Sequence, residues 1–191
     1  MSMTMLDLNG EAGKTTYRKE PVWPLHKIWI GFAFAFAFLA AEIVDAAVGG
    51  QSPGTKLVLL GAAIAGWYYW LTCVQRFHTI LNQISPRVAR ASTYPITPRQ
   101  AVSYHFIPFY NLFWLFKWQM VLSKYLRENT SVRMVPGSLL GLLSLLALLL
   151  RVVDGFLGLS VMFFVGLYIS RKLREAIAEH ERVRNASEVF A

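Results

Sequence analysis

The sequence predicts an all-α integral membrane protein with four transmembrane helices and a re-entrant or proline-kinked helical hairpin at about 98–125. Hydrophobic residues make up 55% of the 191 residues, whereas typical soluble domains contain about 45–50%. They are concentrated in long blocks, at 28–44, 57–74, 138–150 and 155–169. Blocks of this kind are typical of helices that cross a bilayer. We therefore predict a cytoplasmic leader (1–27), a helical membrane domain (28–170) and a cytoplasmic helical tail (171–191).

The polar leader favours retention of the first apolar block as a membrane span. The leader contains Asp7, Glu11 and Glu20, and the apolar block begins only at residue 28. A secretory signal peptide places its apolar core earlier and ends in a small-residue cleavage site. We therefore predict that the first block is a retained helix.

Net charge and motifs exclude several functions. The charge of +8 would suggest nucleic acid binding in a soluble protein, but here the basic residues flank apolar blocks, and no nucleic-acid-reading module is visible. The stretch "GEAGKTT" resembles the end of a phosphate-binding loop, yet Leu8 stands where that pattern needs glycine. Cys73 is the single cysteine, so an intrachain disulfide is impossible and one thiol makes no metal site. We predict no nucleic acid, metal or cofactor.

Basic residues indicate how the chain crosses the membrane, because cytoplasmic loops carry an excess of Lys and Arg. Sixteen of the 19 basic residues lie in four segments, the leader, 75–100, 124–136 and the tail. All four segments lie inside if the helices 28–48 and 57–76 cross and the central segment returns to the side it left. The last apolar run then forms a crossing hairpin with "RVVDG" as its outer turn, and both termini are cytoplasmic.

The central segment contains signals for two short helices. Thr97 and Gln100 form a capping box around Pro98, which predicts a helix of about ten residues. Pro108 disfavours helix in the residue before it and is the predicted hinge. Asn111 is the predicted N-cap of a second helix. The alternative is a single span kinked at Pro108, since proline kinks occur in transmembrane helices.

The same segment resembles a family of bacterial multi-pass membrane proteins of unknown function with a PxxAVxxxFIPxxNLxW-type central segment. The matching positions are Pro98, Ala101, Val102, Phe106, Ile107, Pro108, Asn111, Leu112 and Trp114. The sequence departs where the family often has a second proline, since Phe116, Lys117 and Trp118 stand there. The resemblance implies a helical architecture in the bacterial inner membrane and carries no activity with it.

Ionisable residues inside apolar segments are candidate pore or switch residues, because they are costly there. Glu42 and Asp45 share a helix face and could admit a cation or a proton, or could meet interfacial water or pair with Lys56 or Arg151. His105 could relay a proton or be a neutral packing residue. Arg151 and Asp154 can pair at i, i+3, in a turn or as a buried switch. Asn111 completes this group as either a helix cap or a ligand.

Aromatic and small residues suggest surfaces for packing. Trp67, Trp70 and Trp114 could line a hydrophobic pocket for a lipid, quinone or pigment, or could pack around the tip of the central hairpin. Small residues permit close helix contact, and they occur at Gly61, Gly66, Gly141, Ser144, Gly155 and Gly158.

These features predict a non-catalytic membrane subunit or scaffold that packs against partner membrane proteins or itself. The sequence contains no paired histidines, no Ser-His-Asp grouping and no metal-ligand spacing, so we predict that it is not an enzyme. Two alternatives stay open. The first is a small channel or carrier for an ion or small solute that uses the central hairpin. The second is a protein that binds a lipid or a hydrophobic cofactor.

Overall fold

The described part of the chain consists of helices and the turns and loops that connect them. A computed structural model describes residues 25–49, 52–84 and 93–189, without the side chains of 184 and 187–189. These ranges contain no strand and six α-helices, α1 (Trp29–Ala47), α2 (Pro53–Gln83), α3 (Pro98–Ser103), α4 (Tyr110–Asn129), α5 (Gly137–Val153) and α6 (Gly155–Val189). A 3₁₀ turn, Tyr104–Phe106, follows α3. The all-helical class is confirmed for these ranges, and most of the predicted leader, 1–24, lies outside them.

Three helices are long and apolar enough to cross a membrane, namely α1, α2 and the Gly155–Val183 part of α6. Helix α5 is apolar but shorter, with 17 residues. The predicted membrane character is therefore confirmed by helix length and composition. Helix α2 continues beyond the predicted second span, 57–76, to Gln83. Its polar end keeps a buried apolar stripe of Phe77, Ile80 and Leu81, which holds this part helical.

The hairpin of α1 and α2 is closed by polar contacts at its tip. Gly49 follows α1 with a φ of 79°, a conformation that glycine adopts without a side-chain clash. Ser52 caps α2, since its Oγ accepts from Thr55 N at 3.5 Å, and Pro53 takes the first helical position. Thr55 Oγ1 also donates to the carboxylate of Asp45 on α1. The two helices are thus tied where they meet.

The central segment folds back on itself. The predicted capping box is present, since Thr97 Oγ1 accepts from Gln100 N at 3.2 Å and Gln100 Oε1 accepts from Thr97 N at 3.1 Å. On α4, Trp114 Nε1 donates to Ala101 O on α3 at 3.1 Å. In one straight helix these residues would lie about 20 Å apart. Helices α3 and α4 are therefore separate helices joined by a sharp bend, and we refer to them together as the central hairpin.

The turn of this hairpin is a γ-turn centred on Phe109. Tyr110 N donates to Pro108 O at 2.6 Å, and Phe109 has φ 59° and ψ −40°. The chain reverses at Pro108, the predicted hinge. The prediction that Asn111 is the N-cap of the second helix is wrong, because the turn starts α4 at Tyr110. Asn111 lies inside the first helical turn, and its Oδ1 is buried without a hydrogen-bond partner.

Helices α5 and α6 form a third hairpin with Asp154 as its turn. Asp154 Oδ1 accepts from Leu157 N at 2.8 Å and so caps α6. Gly158 lies against the backbone of Arg151, where a Cβ atom would overlap the neighbouring helix. The predicted break between Val153 and Gly155 is confirmed. Helices α5 and α6 pack closely from the turn at Asp154 onward.

Contacts between α1 and α6 fix the positions of the helices relative to one another along the long axis of the helix bundle. Positions along this axis are called heights below. The ring of Phe38 fills the space beside Gly155, and the rings of Phe36 and Phe156 lie 5.7 Å apart. Helix α6 therefore begins beside the middle of α1. Nine residues of α1 follow Phe38, and they extend past the start of α6 by about 14 Å.

Contacts with α2 place the turns of both shorter hairpins at nearly the same height. Arg151 Nη2, near the turn of α5 and α6, donates to Ala63 O at 2.9 Å. His105, just before the turn of α3 and α4, has its ring 6.0 Å from that of Trp67. The first ten residues of α2 precede Ala63 and extend past both turns by about 15 Å. The hairpin of α1 and α2 thus projects beyond the other two.

The core lies below the turns of the two shorter hairpins, away from the end where α1 and α2 project. Its largest fully buried side chains come from α2, α4, α5 and α6, and they include Trp70, Trp118, Phe77, Phe163 and Leu140. The rings of Trp70 and Phe163 meet edge to face at 6.2 Å. Trp70 also fills the space beside Gly166, so the long helices α2 and α6 are in direct contact there.

Candidate functional site

The two acidic residues of α1 have different environments. Asp45 accepts from Thr55 Oγ1 at the hairpin tip. Glu42, one turn closer to the middle of α1, is half-buried and lies within electrostatic range of Asp154. Neither acid pairs with Lys56 or Arg151 in the described ranges. Both acids lie on one face of the continuous helix α1, as predicted, but Asp45 contacts the start of α2 while Glu42 lies toward the turn of α5 and α6.

Arg151 binds α2 and not its predicted partner. Its guanidinium donates to Ala63 O and lies over the ring of Trp67, 5.3 Å from the centroid. Among the described residues it makes no ion pair with Asp154, so the predicted i, i+3 pair is wrong. The reason is the helix break, since the carboxylate of Asp154 turns toward the first amides of α6 while Arg151 ends α5. Arg151 therefore fastens α5 to α2.

His105 is buried between α3 and α2. Its Nδ1 lies 2.7 Å from Ala101 O, and since a carbonyl only accepts, Nδ1 carries the proton. The other ring nitrogen, Nε2, is buried without a hydrogen-bond partner. Trp67 separates His105 from Arg151, because both groups contact its ring. These three residues form a polar and aromatic cluster at the height of the two turns.

The predicted aromatic pocket is distributed over separate contacts. Trp67 packs on His105 and Arg151, as described above. Trp70 is fully buried against Phe163. Trp114 is buried in the central hairpin, where its ring lies 4.7 Å from that of Tyr104. Each ring thus has its own packing neighbours, and binding of a lipid, quinone or pigment by these residues stays a prediction.

A second buried histidine, which the sequence did not predict, lies three turns beyond Trp67 toward the C-terminal end of α2. His78 is fully buried, its Nδ1 lies 2.9 Å from the hydroxyl of Tyr94, and its ring lies 5.4 Å from that of Trp118. Burial raises the pKa of Tyr94 well above its usual value of 10, so its hydroxyl keeps its proton. Beside it, Tyr125 Oη donates to Ile84 O at 2.8 Å. This network fastens α2, α4 and the segment before α3 together.

The signal for His78 was present in the sequence. His78 follows Val74 by four residues and Trp67 by eleven, so all three share one face of a continuous helix. The charge count assigned residues 75–100 to a loop, which removed His78 from that face. Tyr94 could not be found in this way, because its contact depends on how the chain returns between α2 and α3.

Helices α4 and α5 share a buried hydrogen bond. Gln119 Nε2 donates to Ser144 Oγ, and both side chains are buried. Hydrogen bonds of this kind hold helices together in membrane proteins. Gly141 supports the same contact, since its missing side chain leaves room for the ring of Phe116. These residues act in packing.

A polar groove of about 570 Å³ lies between the tail part of α6 and the residues after α4. Glu179 on α6 accepts from Ser131 N and from Ser131 Oγ, the latter at 2.7 Å. Arg133, Arg174 and Arg182 line the groove. The predicted tail is therefore a continuation of α6 that docks on the protein's own loop.

In the described ranges, no group of three or more His, Cys, Asp or Glu side chains is placed to hold a metal ion. Comparison with protein-family models, curated proteins and solved structures gave no match to this chain. The resemblance of residues 98–114 to a bacterial membrane protein family stays a prediction.

Proposed function

We propose that the protein is a non-catalytic subunit or scaffold of the bacterial inner membrane that packs against partner membrane proteins or its own copies. In this proposal α1 and α2 cross the bilayer, and the other two hairpins enter it from the cytoplasmic side without crossing. Both termini are then cytoplasmic. The proposal replaces the predicted four crossings with two crossings and two partial insertions.

The length and position of α1 support this placement. Its 19 residues measure about 28 Å, close to the hydrocarbon thickness of about 30 Å. Lys27 lies at its inner end, where the carbonyl accepts from Tyr69 Oη at 2.9 Å. The apolar part of α2 ends near this height, and the polar stretch "QRFHTILNQ" follows it. Both helices thus reach the cytoplasmic boundary together.

The opposite placement is unfavourable. Centring the hydrocarbon on the arms of the shorter hairpins would bring the exposed residues Lys124 and Arg171 to its inner edge, at some cost. It would also leave the exposed apolar residues Leu57, Leu60 and Ile43 in water. Centring it on α1 keeps Leu57, Leu60 and Ile43 in lipid and the charges of Lys124 and Arg171 outside it, while the exposed Leu139 and Leu167 come to lie just beyond its inner edge.

One observation supports the scaffold function above the others. The outer halves of α1 and α2 are not covered by any other described helix, and Glu42, Arg151 and Asp154 lie where that uncovered half begins. Ionisable groups at this depth are unfavourable against lipid. A protein partner that covers them removes this cost, so packing against another chain explains the arrangement.

Cysteine cross-linking in membranes tests this proposal. In a Cys73→Ala background, Leu60→Cys and Ile43→Cys place a thiol on the uncovered outer half, and Leu142→Cys places one on the exposed face of α5. We expect discrete cross-linked species from the first two variants and none from the third. A chain that is monomeric in mild detergent and fails to cross-link at positions 43 and 60 would contradict the proposal.

A further inference from the structure

We propose that the protein prefers curved membrane, with the cytoplasmic leaflet on the convex side, because it inserts more helix into that leaflet. This inference rests on the placement described under Proposed function. The protein would bind the lipid bilayer itself. The curvature preference would arise because the two halves of the membrane contain different numbers of helices.

The difference follows from the heights of the three hairpins. The outer half contains parts of two helices, α1 and α2, because both other turns stop near the height of Phe38 and Ala63. The inner half also receives α5, α6 and the hairpin of α3 and α4. A helix about 10 Å across occupies about 80 Å², so four additional helices widen the inner half by about 300 Å².

The tips of both short hairpins have apolar surfaces that suit contact with lipid chains. Phe109 is 88% exposed on one tip, and Val152 and Val153 are 86% and 85% exposed on the other. Phe106 and Ile107 are exposed beside Phe109. Three exposed apolar residues at one tip and two at the other would be unfavourable in water. At the middle of a bilayer they meet the ends of the outer-leaflet chains.

The backbone at these tips is also suited to hydrocarbon, where unpaired amides are costly. In the first tip, Tyr110 N donates to Pro108 O at 2.6 Å and Asn111 N donates to Ile107 O at 3.0 Å. In the second tip, Asp154 N donates to Leu150 O at 2.6 Å, and the Asp154 side chain accepts from Leu157 N. The tight γ-turn thus lets the chain reverse while the amides of Tyr110 and Asn111 stay paired.

Self-assembly would preserve the asymmetry. Each added copy contributes two helices to the outer half and all six to the inner half, so an assembly of copies is wedge-shaped as well. A different partner that fills the outer half above the tips would remove it. The proposal therefore commits to a second copy of this chain as the partner that covers Glu42, Arg151 and Asp154, and to lipid in the space that the copies leave above the tips.

Orientation in vesicles of different sizes tests the inference. In the Cys73→Ala background, Arg182→Cys reports the cytoplasmic tail and Val48→Cys the opposite end, through a membrane-impermeant thiol reagent added before and after lysis. In small vesicles the outer leaflet is strongly convex, so the broad cytoplasmic half should face outward. We expect the ratio of tail-out to tail-in molecules to rise about twofold or more from giant to sonicated vesicles. The accessibility of Val48→Cys should fall in step.

A third variant, Val153→Cys in the same vesicles, separates the outcomes. If position 153 is shielded from the reagent on both sides and orientation follows vesicle size, the inference is supported. If position 153 is shielded but orientation is the same in all vesicles, the curvature preference is overturned while the placement stands. If the reagent reaches position 153 from the side of Val48, the hairpin crosses fully, and both the placement and the inference are overturned.

Discussion

Replacing Trp70 with alanine is expected to lower the free energy of unfolding by about 3–5 kcal/mol, because the indole is fully buried and its contacts would be lost to a cavity. Trp70 touches Phe163 and fills the space beside Gly166, so the substitution loosens α2 from α6. Denaturant titration in detergent, followed by circular dichroism, measures the loss.

Two controls show whether burial is the cause. Trp70→Phe keeps an aromatic ring and removes an indole N–H that has no hydrogen-bond partner, so its cost should stay below about 1.5 kcal/mol. Tyr68→Ala removes a neighbouring aromatic side chain that is 69% exposed and should change stability little. Equal losses for Trp70→Ala and Tyr68→Ala would contradict the packing of α2 against α6.

Replacing Gly137 with alanine is expected to destabilise the protein by about 1–3 kcal/mol, because the new methyl group has no space. A Cβ atom at this position would lie 2.5 Å from Gln119 O and from Met120 Cα. Both are backbone atoms of α4, so α4 and α5 would have to move apart. The shift in thermal midpoint in detergent measures this effect.

Gly61→Ala is the matched control, since nothing lies within 4 Å of the corresponding Cβ position. Alanine is favoured over glycine inside a helix by about 1 kcal/mol, so this variant should be neutral or slightly more stable. A destabilisation as large as that of Gly137→Ala would mean that α2 has a partner at Gly61 that the described helices do not provide.

Local signals in the sequence were sufficient to predict several elements. The capping box of Thr97 and Gln100 is formed by residues three positions apart, so no tertiary contact is needed to predict it. The break at Asp154 likewise follows from the short stretch "RVVDG". The predicted close contacts at small residues also hold at Gly66, Gly141 and Gly155, each of which faces an aromatic or leucine side chain.

Other features depend on contacts that the sequence does not reveal. Asn111 is a good capping residue, but the γ-turn at Phe109 places the helix start before it. Arg151 is close enough in sequence to pair with Asp154, yet the helix break turns the two side chains toward different helices. The networks of His78 and Gln119 join residues from different elements, and their partners follow from the packing of those elements.

The depth of the two shorter hairpins is the least predictable feature and the most consequential. The length of α5, about 25 Å, allows a full crossing with some thinning of the bilayer. The contacts of Gly155 with Phe38 and of Phe156 with Phe36, at the middle of α1, show where α6 begins. Such a register between distant segments is set by side-chain packing, and hydropathy along one segment contains no information about it.

Depth-dependent fluorescence quenching tests this central claim most directly. Fluorophores on Phe36→Cys, Val153→Cys and Val48→Cys, each in the Cys73→Ala background, would be quenched by nitroxides attached at several depths along the lipid chains. Phe36 and Val153 should be quenched most by the deepest nitroxide and to the same extent, since the rings of Phe36 and Phe156 are in contact, while Val48 should be quenched most by the shallowest. If position 153 is quenched like position 48, the hairpin of α5 and α6 crosses the membrane, and the account of two crossing helices with two partial insertions is wrong.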